Sequence, residues 1–220
     1  IANDRLFSTS SKNYGTNALA TTAYDDGYTA GGMYYCNGTG GETRRNVTIN
    51  NVIAGDKIVV YMASSNAATG TLVFKYLGED NEQVEKASFT NKGTKYEFVA
   101  KYSGSYKVYT DAAAGKPIYN RIVRIPGVAV SGTIDGAQLS GYKVMFKDEA
   151  NGITYDADIK GNTFTATLAA GCNYTAVLSG VAGYGFSNAT KNISTTVDEA
   201  LTGKSGVTLI IEEKKVYTYT

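Results

Sequence analysis

The residue types that could do chemistry are unevenly distributed along the chain. Twelve of the 18 tyrosines and all five arginines lie before residue 128, and the chain has no tryptophan and no histidine. Tyrosine rings stack on sugar rings and hydrogen-bond through their hydroxyls, while arginine forks bidentately onto carboxylates. These side chains are suited to holding a sugar chain, so the first part of the sequence is the better candidate for recognition.

Side chains for catalysis are scarce. The absence of histidine excludes Ser-His-Asp and Cys-His arrangements, and two cysteines without histidine cannot form a zinc site. The paired acids Asp25-Asp26, Asp148-Glu149 and Asp156/Asp158 are the candidates for glycosidase chemistry, which needs two carboxyls across a cleft. We interpret them as solvated loop charges and expect no enzyme activity. No cofactor is expected, with a structural calcium ion at the Asp25-Asp26 loop as the alternative.

Charge argues against several partners. The first 127 residues carry 14 Lys and Arg against 11 Asp and Glu, a net charge of +3, and the remainder carries 7 against 9, a net charge of −2. The overall charge of +1 is too small to favour nucleic acid. No run of 18 apolar residues occurs, so no membrane span is expected. The chain opens Ile-Ala-Asn, which we interpret as an excised piece of a longer secreted protein.

Six residues are predicted to bind carbohydrate. Arg44 enters a strand beside Arg45 and is either a clamp on a galacturonate carboxylate or half of a solvated pair. If the last two strands of the first unit pair, Lys107 and Tyr109 share one face, as do Tyr119 and Arg121; the alternative places both tyrosines in the core. Tyr34 adds an aromatic ring upstream. The predicted set is Tyr34, Arg44, Lys107, Tyr109, Tyr119 and Arg121.

Period-two alternation of apolar residues predicts that strands position these side chains. Pro126-Gly127 divides the chain into predicted domains 1–127 and 128–220. Residues 8–32 are interpreted as loops with one or two short strands, and Asp198–Leu201 as a turn of helix. The expected fold class is all-β, two antiparallel β-sandwiches in tandem. The best-defined predicted strands are Lys57–Met62, Thr71–Leu77, Lys95–Ala100, Ser105–Thr110, Val128–Ile134, Tyr142–Lys147, Ile153–Ile159, Thr163–Leu168, Tyr174–Leu178 and Val207–Glu212.

Several of these strands carry a resemblance. Asp56–Ser65 (DKIVVYMASS), Ser103–Thr110 (SGSYKVYT) and Ile118–Ile122 (IYNRI) resemble a noncatalytic β-sandwich module of secreted bacterial pectate lyases and related pectin-degrading enzymes. Asn162–Leu168 (NTFTATL) and Gly171–Val181 (GCNYTAVLSGV) resemble the transthyretin-type or fibronectin-type-III-like spacers of the same enzymes. The resemblance implies a carbohydrate-binding role for the first module.

Two functional hypotheses follow. The first is a carbohydrate-binding module and a spacer that target a secreted or surface-attached pectin-degrading enzyme to homogalacturonan or rhamnogalacturonan, as a monomer tethered to its catalytic domain. The alternative is a pair of purely structural spacers of a bacterial surface or adhesion protein. One shared patch of Tyr34, Arg44, Tyr109, Tyr119 and Arg121 favours binding, whereas dispersal favours spacing. We expect the second unit to carry no site.

Overall fold

The computed structural model describes residues 7–9, 14–17, 22–30, 33–36, 38, 40–64, 69–90, 92–111 and 117–214, and of residues 7–9, 14–17 and 33–36 only the backbone. The chain divides into two units, Ile1–Arg124 and Ile125–Thr220. Strands make up nearly all the regular structure of the described residues, so the predicted all-β class is confirmed. No helix among the described residues is long and apolar enough to cross a membrane.

The described residues of the first unit form two five-stranded sheets and the two-stranded sheet β3-β4. The strand orders of the two five-stranded sheets are β1-β6-β11-β8-β9 and β10-β7-β12-β5-β2. Neighbours with a defined register, such as β11 with β8 and β10 with β7, are antiparallel. The strands are β1 (Phe7–Thr9), β2 (Tyr14–Asn17), β3 (Thr22–Ala23), β4 (Thr29–Ala30), β5 (Met33–Cys36), β6 (Val47–Val52), β7 (Lys57–Ser64), β8 (Gly70–Tyr76), β9 (Val84–Phe89), β10 (Thr94–Val99), β11 (Gly104–Asp111) and β12 (Pro117–Ile125).

Alternation explains the core of this unit. Ile58, Val60 and Met62 on β7 are fully buried, because every second residue of a strand points to the same face. Across the core the ring of Phe74 stacks on Phe98, at 4.9 Å between centroids, and within its own sheet it stacks on the ring of Tyr106, at 4.5 Å. Burying each such side chain stabilises the fold by roughly 1.5–3 kcal/mol.

The segment before β5 contains more strand than its composition predicts. Four short strands lie within or across residues 8–32, and two of them, β3 and β4, form a hairpin around Asp25, Asp26 and Gly27. Gly27 has a φ of 85°, a left-handed conformation that favours glycine. The hairpin, residues 22–30, carries two tyrosines that belong to the candidate site.

The second unit is also built from two sheets, with strand orders β16-β17-β13-β21-β19 and β15-β14-β18-β20. Its single helical turn, α1 (Glu199–Thr202), lies one residue beyond the predicted turn. The strands are β13 (Val128–Gly136), β14 (Lys143–Asp148), β15 (Ile153–Asp156), β16 (Asp158–Lys160), β17 (Thr163–Leu168), β18 (Asn173–Ser179), β19 (Tyr184–Phe186), β20 (Asn192–Ser194) and β21 (Lys204–Glu213).

The first and last strands of this unit are parallel neighbours, unlike the other strand pairs assigned within it. β13 and β21 run side by side from Val130 opposite Lys204 to Gly136 opposite Ile211. The register shifts between Val130 and Gly132, where a Cβ would collide with the carbonyl oxygen of Val207. Glycine at position 132 therefore allows the closest approach of the two strands.

The strand with the clearest alternation behaves as predicted. On β17, Phe164 and Leu168 are buried and Ala166 is half-buried, while Thr163, Thr165 and Thr167 are exposed. Strict alternation of this kind places one face of the sheet in the core and the other in water.

Candidate functional site

The structure does not bring the described side chains of the predicted binding set together on one surface of the first unit. β11 and β12 belong to different sheets, so the premise that they pair is wrong. Lys107 and Tyr109 on β11 share the outer face of one sheet, and Arg121 on β12 is exposed on the other. Arg44 is exposed in the segment before β6. Tyr34 lies in β5, and its side chain falls outside the described residues.

Tyr119 is a core residue and not a binding residue. Its side chain is 2% exposed and packs in the apolar core, where Ile122 also packs. Residues three apart on a regular strand point to opposite faces, so the alternation of β12 shifts by one residue between these two positions. The shift turns Arg121 out of the core, and Tyr119 and Arg121 therefore do not share a face.

Lys107 and Tyr109 are engaged within the protein. The Lys107 ammonium donates to the carbonyl oxygen of Glu42 at 3.0 Å, and the Tyr109 hydroxyl donates to the Glu42 carboxylate at 3.5 Å. Lys75 donates to the same carboxylate at 2.6 Å, and this bond holds the pKa of Glu42 below its usual value. Tyr109 is only 9% exposed, so little of its ring can contact a ligand. We therefore interpret the bonds of Lys75, Lys107 and Tyr109 to Glu42 as structural contacts that hold the segment before β6 against its sheet.

A second group of aromatic residues lies on the other sheet. Tyr24 and Tyr28 from the hairpin meet Tyr61 on β7, and we call these three residues the tyrosine cluster. The ring centroids are 5.6 Å apart for Tyr24 and Tyr28, 5.1 Å for Tyr24 and Tyr61, and 4.9 Å for Tyr28 and Tyr61. Stacked and edge-to-face pairs at such distances stabilise each other by about 0.5–1.5 kcal/mol beyond area burial. The cluster therefore anchors the hairpin on the sheet.

Hydrogen bonds fix the cluster at both ends. Tyr24 donates to the side-chain oxygen of Asn120 at 2.6 Å in a buried contact. Asp26 accepts from the Tyr61 hydroxyl at 2.7 Å and from the Tyr28 amide at 3.1 Å. These bonds, the Tyr61 hydroxyl first, hold the pKa of Asp26 below its usual value, while burial raises the pKa of Tyr24 and Tyr61. Both hydroxyls therefore remain protonated donors at neutral pH.

Arg121 lies over the exposed side of the cluster. Its guanidinium carbon is 5.1 Å from the Tyr28 ring centroid and 5.6 Å from the Tyr61 centroid. Stacking on rings holds a guanidinium in place while its N–H groups remain directed outward, in a fork that matches a carboxylate. The arrangement places an exposed cation beside the half-buried ring of Tyr28, while Tyr24 and Tyr61 are buried.

The acids around the cluster are already occupied by lysines. Lys92 lies 3.6 Å from Asp25, and Lys95 lies 3.8 Å from Asp26 and 3.0 Å from Glu97. Among the described residues no carboxylate lies within ion-pair distance of Arg121. Its guanidinium can therefore take a carboxylate from a ligand without breaking an ion pair seen in these residues.

Asp25 and Asp26, the alternative calcium ligands, are directed to protein partners instead. Asp25 faces Lys92, and both carboxylate oxygens of Asp26 accept hydrogen bonds. Over the described ranges of the chain, no group of three or more Asp, Glu, Cys or His side chains gathers in a metal-binding arrangement.

The set predicted from the sequence includes Arg121 but none of the three residues of the tyrosine cluster. The signal was present in Tyr24-Asp-Asp-Gly-Tyr28, where tyrosines flank an Asp-Gly turn, which is typical of a hairpin. Alternation with the buried Ile58, Val60 and Met62 also directs Tyr61 to the outer face of β7.

The chain matches no protein-family model, and no curated protein sequence matches it. The candidate function must therefore be inferred from the residues themselves.

Proposed function

We propose that the first unit is a noncatalytic carbohydrate-binding module whose ligand is an acidic polysaccharide of the pectin class. The observation that carries the proposal is the exposed Arg121 guanidinium, which lies 5.1 Å from the Tyr28 ring centroid and 5.6 Å from that of Tyr61 and has no carboxylate partner among the described residues. A galacturonate carboxylate fits the guanidinium fork, and the exposed part of Tyr28 can contact the adjoining sugar ring. Homogalacturonan and rhamnogalacturonan both present this chemistry.

The proposed role is attachment and not chemistry. In this proposal the chain belongs to a secreted or surface-attached multimodular enzyme, and the module keeps a catalytic domain close to an insoluble polymer. Tethering raises effective concentration without a new contact to the transition state. Affinity should be weak, because a shallow polar site buries little apolar surface against the cost of ordering a flexible ligand.

The test is a titration of the full chain with trigalacturonate by isothermal calorimetry, repeated with Arg121→Ala and Arg121→Lys. A bidentate charge-assisted contact contributes about 1.5–3 kcal/mol, and solvent exposure reduces this. We expect Arg121→Ala to weaken binding about tenfold and Arg121→Lys to recover only part of the loss, since lysine cannot fork. Lys86→Ala on β9 is the charge-matched control, because Lys86 is exposed on the other sheet.

Salt provides a second readout. Added salt should weaken trigalacturonate binding, because an exposed guanidinium–carboxylate pair is screened. Equal affinity at low and high ionic strength, or an Arg121→Ala variant that binds as tightly as the parent, would contradict the assigned site.

The second candidate function is a structural spacer pair of a surface protein. The observation that favours it is the dispersal of the predicted set: Tyr119 is in the core, Tyr109 is bonded to Glu42, and Arg121 lies on a different sheet. Absence of binding to every pectic polymer at millimolar concentration would favour this function over the first.

A further inference from the structure

A groove lies on the outer face of the sheet β15-β14-β18-β20 in the second unit. Its volume is about 500 Å³, within the range of about 300–1,000 Å³ that is typical of small-molecule sites. Ala150, Tyr174 and Ile193 contribute to its lining. The polar residues that line it are Lys147, Glu149, Asn173, Thr175, Asn192 and Ser194. We call this feature the second-unit groove.

Strand register places amides and hydroxyls side by side in this groove. Asn173 is opposite Ser194, and Thr175 is opposite both Asn192 and Lys147. Directly opposed side chains on one face are close enough to act on the same ligand. The Thr175 hydroxyl donates to the side-chain oxygen of Asn192 at 3.3 Å, which orients that amide so that its NH₂ group can face a ligand.

The strands beneath the groove are rigidly held. Tyr174, between Asn173 and Thr175, is 2% exposed and donates to the carbonyl oxygen of Ala169 at 2.9 Å. Phe146, beside Lys147 on β14, is fully buried. Polar groups on a fixed backbone lose little conformational freedom when a ligand binds, and this reduces the cost of binding.

The groove has the composition expected for a ligand rich in uncharged hydroxyls. Lys147 and Glu149 are both exposed, and within the described residues neither forms an ion pair, so the lining carries one positive and one negative charge. An anionic polymer would meet one ammonium beside a carboxylate, which gives little net attraction. Side-chain amides and hydroxyls both donate and accept hydrogen bonds, as sugar hydroxyls do. Each can therefore hydrogen-bond two neighbouring hydroxyls of a sugar ring.

We propose that the second-unit groove binds a segment of neutral polysaccharide, independently of the Arg121 site. The proposal goes beyond the function proposed for the first unit, because both the site and the ligand chemistry differ. It also departs from the expectation that the second unit carries no site. Alternation on β18 directs Thr175 outward, but only the strand register shows that Asn192 and Ser194 join it.

The test is an amide-resolved NMR titration of the full chain with cellohexaose, xylohexaose and a β-1,4-galactan hexasaccharide, each tested separately. We expect at least one of them to shift the amides of residues 173–175 and 192–194, with a dissociation constant on the order of 1 mM. The affinity should not change with ionic strength, because the lining has no net charge. Trigalacturonate, the probe for the first unit, should leave these amides unshifted.

Two variants test the contacts. Asn192→Ala and Thr175→Val each remove hydrogen-bonding groups from the groove and should weaken binding by about three- to tenfold. Asn188→Ala is the matched control, because Asn188 is an exposed asparagine outside the lining and should bind like the parent. The amides of β13 and β21, which lie in the other sheet of the second unit, serve as the folding control for every variant.

The outcomes separate this proposal from the first. It is wrong if none of the three hexasaccharides shifts the groove amides at about 10 mM, or if both groove variants bind like the parent. It is also wrong if trigalacturonate shifts the same amides in a salt-dependent manner. Each of these results leaves the Arg121 titration unaffected, since that site is read through residues 22–30 and 121.

Discussion

Replacing Arg124 by alanine should destabilise the first unit more than any other single loss of a positive charge among its described residues. The Arg124 side chain is 20% exposed and donates to the Asp56 carboxylate at 2.6 Å, while the Asp56 side chain is 2% exposed. The same carboxylate oxygen accepts from the Ile53 amide at 2.8 Å. The pair thus joins the turn before β7 to the end of β12.

The expected loss of unfolding free energy follows from the burial of the Arg124–Asp56 ion pair. Removing one partner of a buried ion pair costs about 3–5 kcal/mol, because a charge is left buried without its counter-ion. Since Arg124 retains some contact with water, we expect the lower end, about 3 kcal/mol. For a unit of this size, each kcal/mol corresponds to a shift of about 3–5 °C, so the melting temperature should fall by about 10 °C.

The assay is thermal unfolding of the full chain combined with hydrogen exchange read by mass spectrometry. Peptides from β7 and β12 should lose protection, whereas peptides from β14 and β18 should keep theirs. Arg44→Ala is the matched control, because it removes the same charge from an exposed position. An Arg124→Ala variant that melts within about 2 °C of the parent would refute the reasoning, as would equal losses in both variants.

Three further predictions concern other parts of the chain. Gly132→Ala should destabilise the second unit by more than about 2 kcal/mol, since a Cβ would collide with Val207; urea unfolding measures this. Asp26→Asn should lower the melting temperature at pH 7, and the difference should shrink once the pH falls below the ordinary pKa of an aspartate carboxyl. The lowered pKa of Asp26 means that its stabilisation is complete above its ordinary pKa and lost as the pH falls through the lowered one. A fragment ending at Gly127 should retain binding to immobilised polygalacturonate, which has no neutral side chains, in a pull-down, and the fragment from Val128 should not bind it.

The sequence predicts most strands because apolar alternation is a strong local signal. Apolar residues at every second position predict that Ile58, Val60 and Met62 point into the core, and the same holds for Phe164 and Leu168; all five are buried. It misses β9, an edge strand on which only Phe89 is buried, because alternation is weak where one neighbour is absent. It also joins β15 and β16, which belong to different sheets; nothing in the periodicity marks the switch at Ala157.

The candidate site was harder to predict than the strands. Residue type directs attention to tyrosine and arginine, but which of these side chains meet depends on the order of strands in each sheet. Pairing of β12 within the sheet of β7 places Arg121 near Tyr61, and a one-residue shift in β12 turns Tyr119 inward. Both are long-range or irregular features that a pattern of period two does not contain.

The parallel pairing of β13 and β21 has a mechanical consequence. The second unit begins at one end of this strand pair and finishes at the opposite end, because its first and last strands run in the same direction. Tension applied at the start of β13 and the end of β21 would therefore pull one strand along the other. All the backbone hydrogen bonds between the two strands would resist this force at the same time. Hairpin strands pulled from adjacent ends open one bond at a time instead. Resistance to forced extension is governed by the rate of unfolding and not by equilibrium stability. By this geometry the unit can transmit a pulling force along the chain while it remains folded.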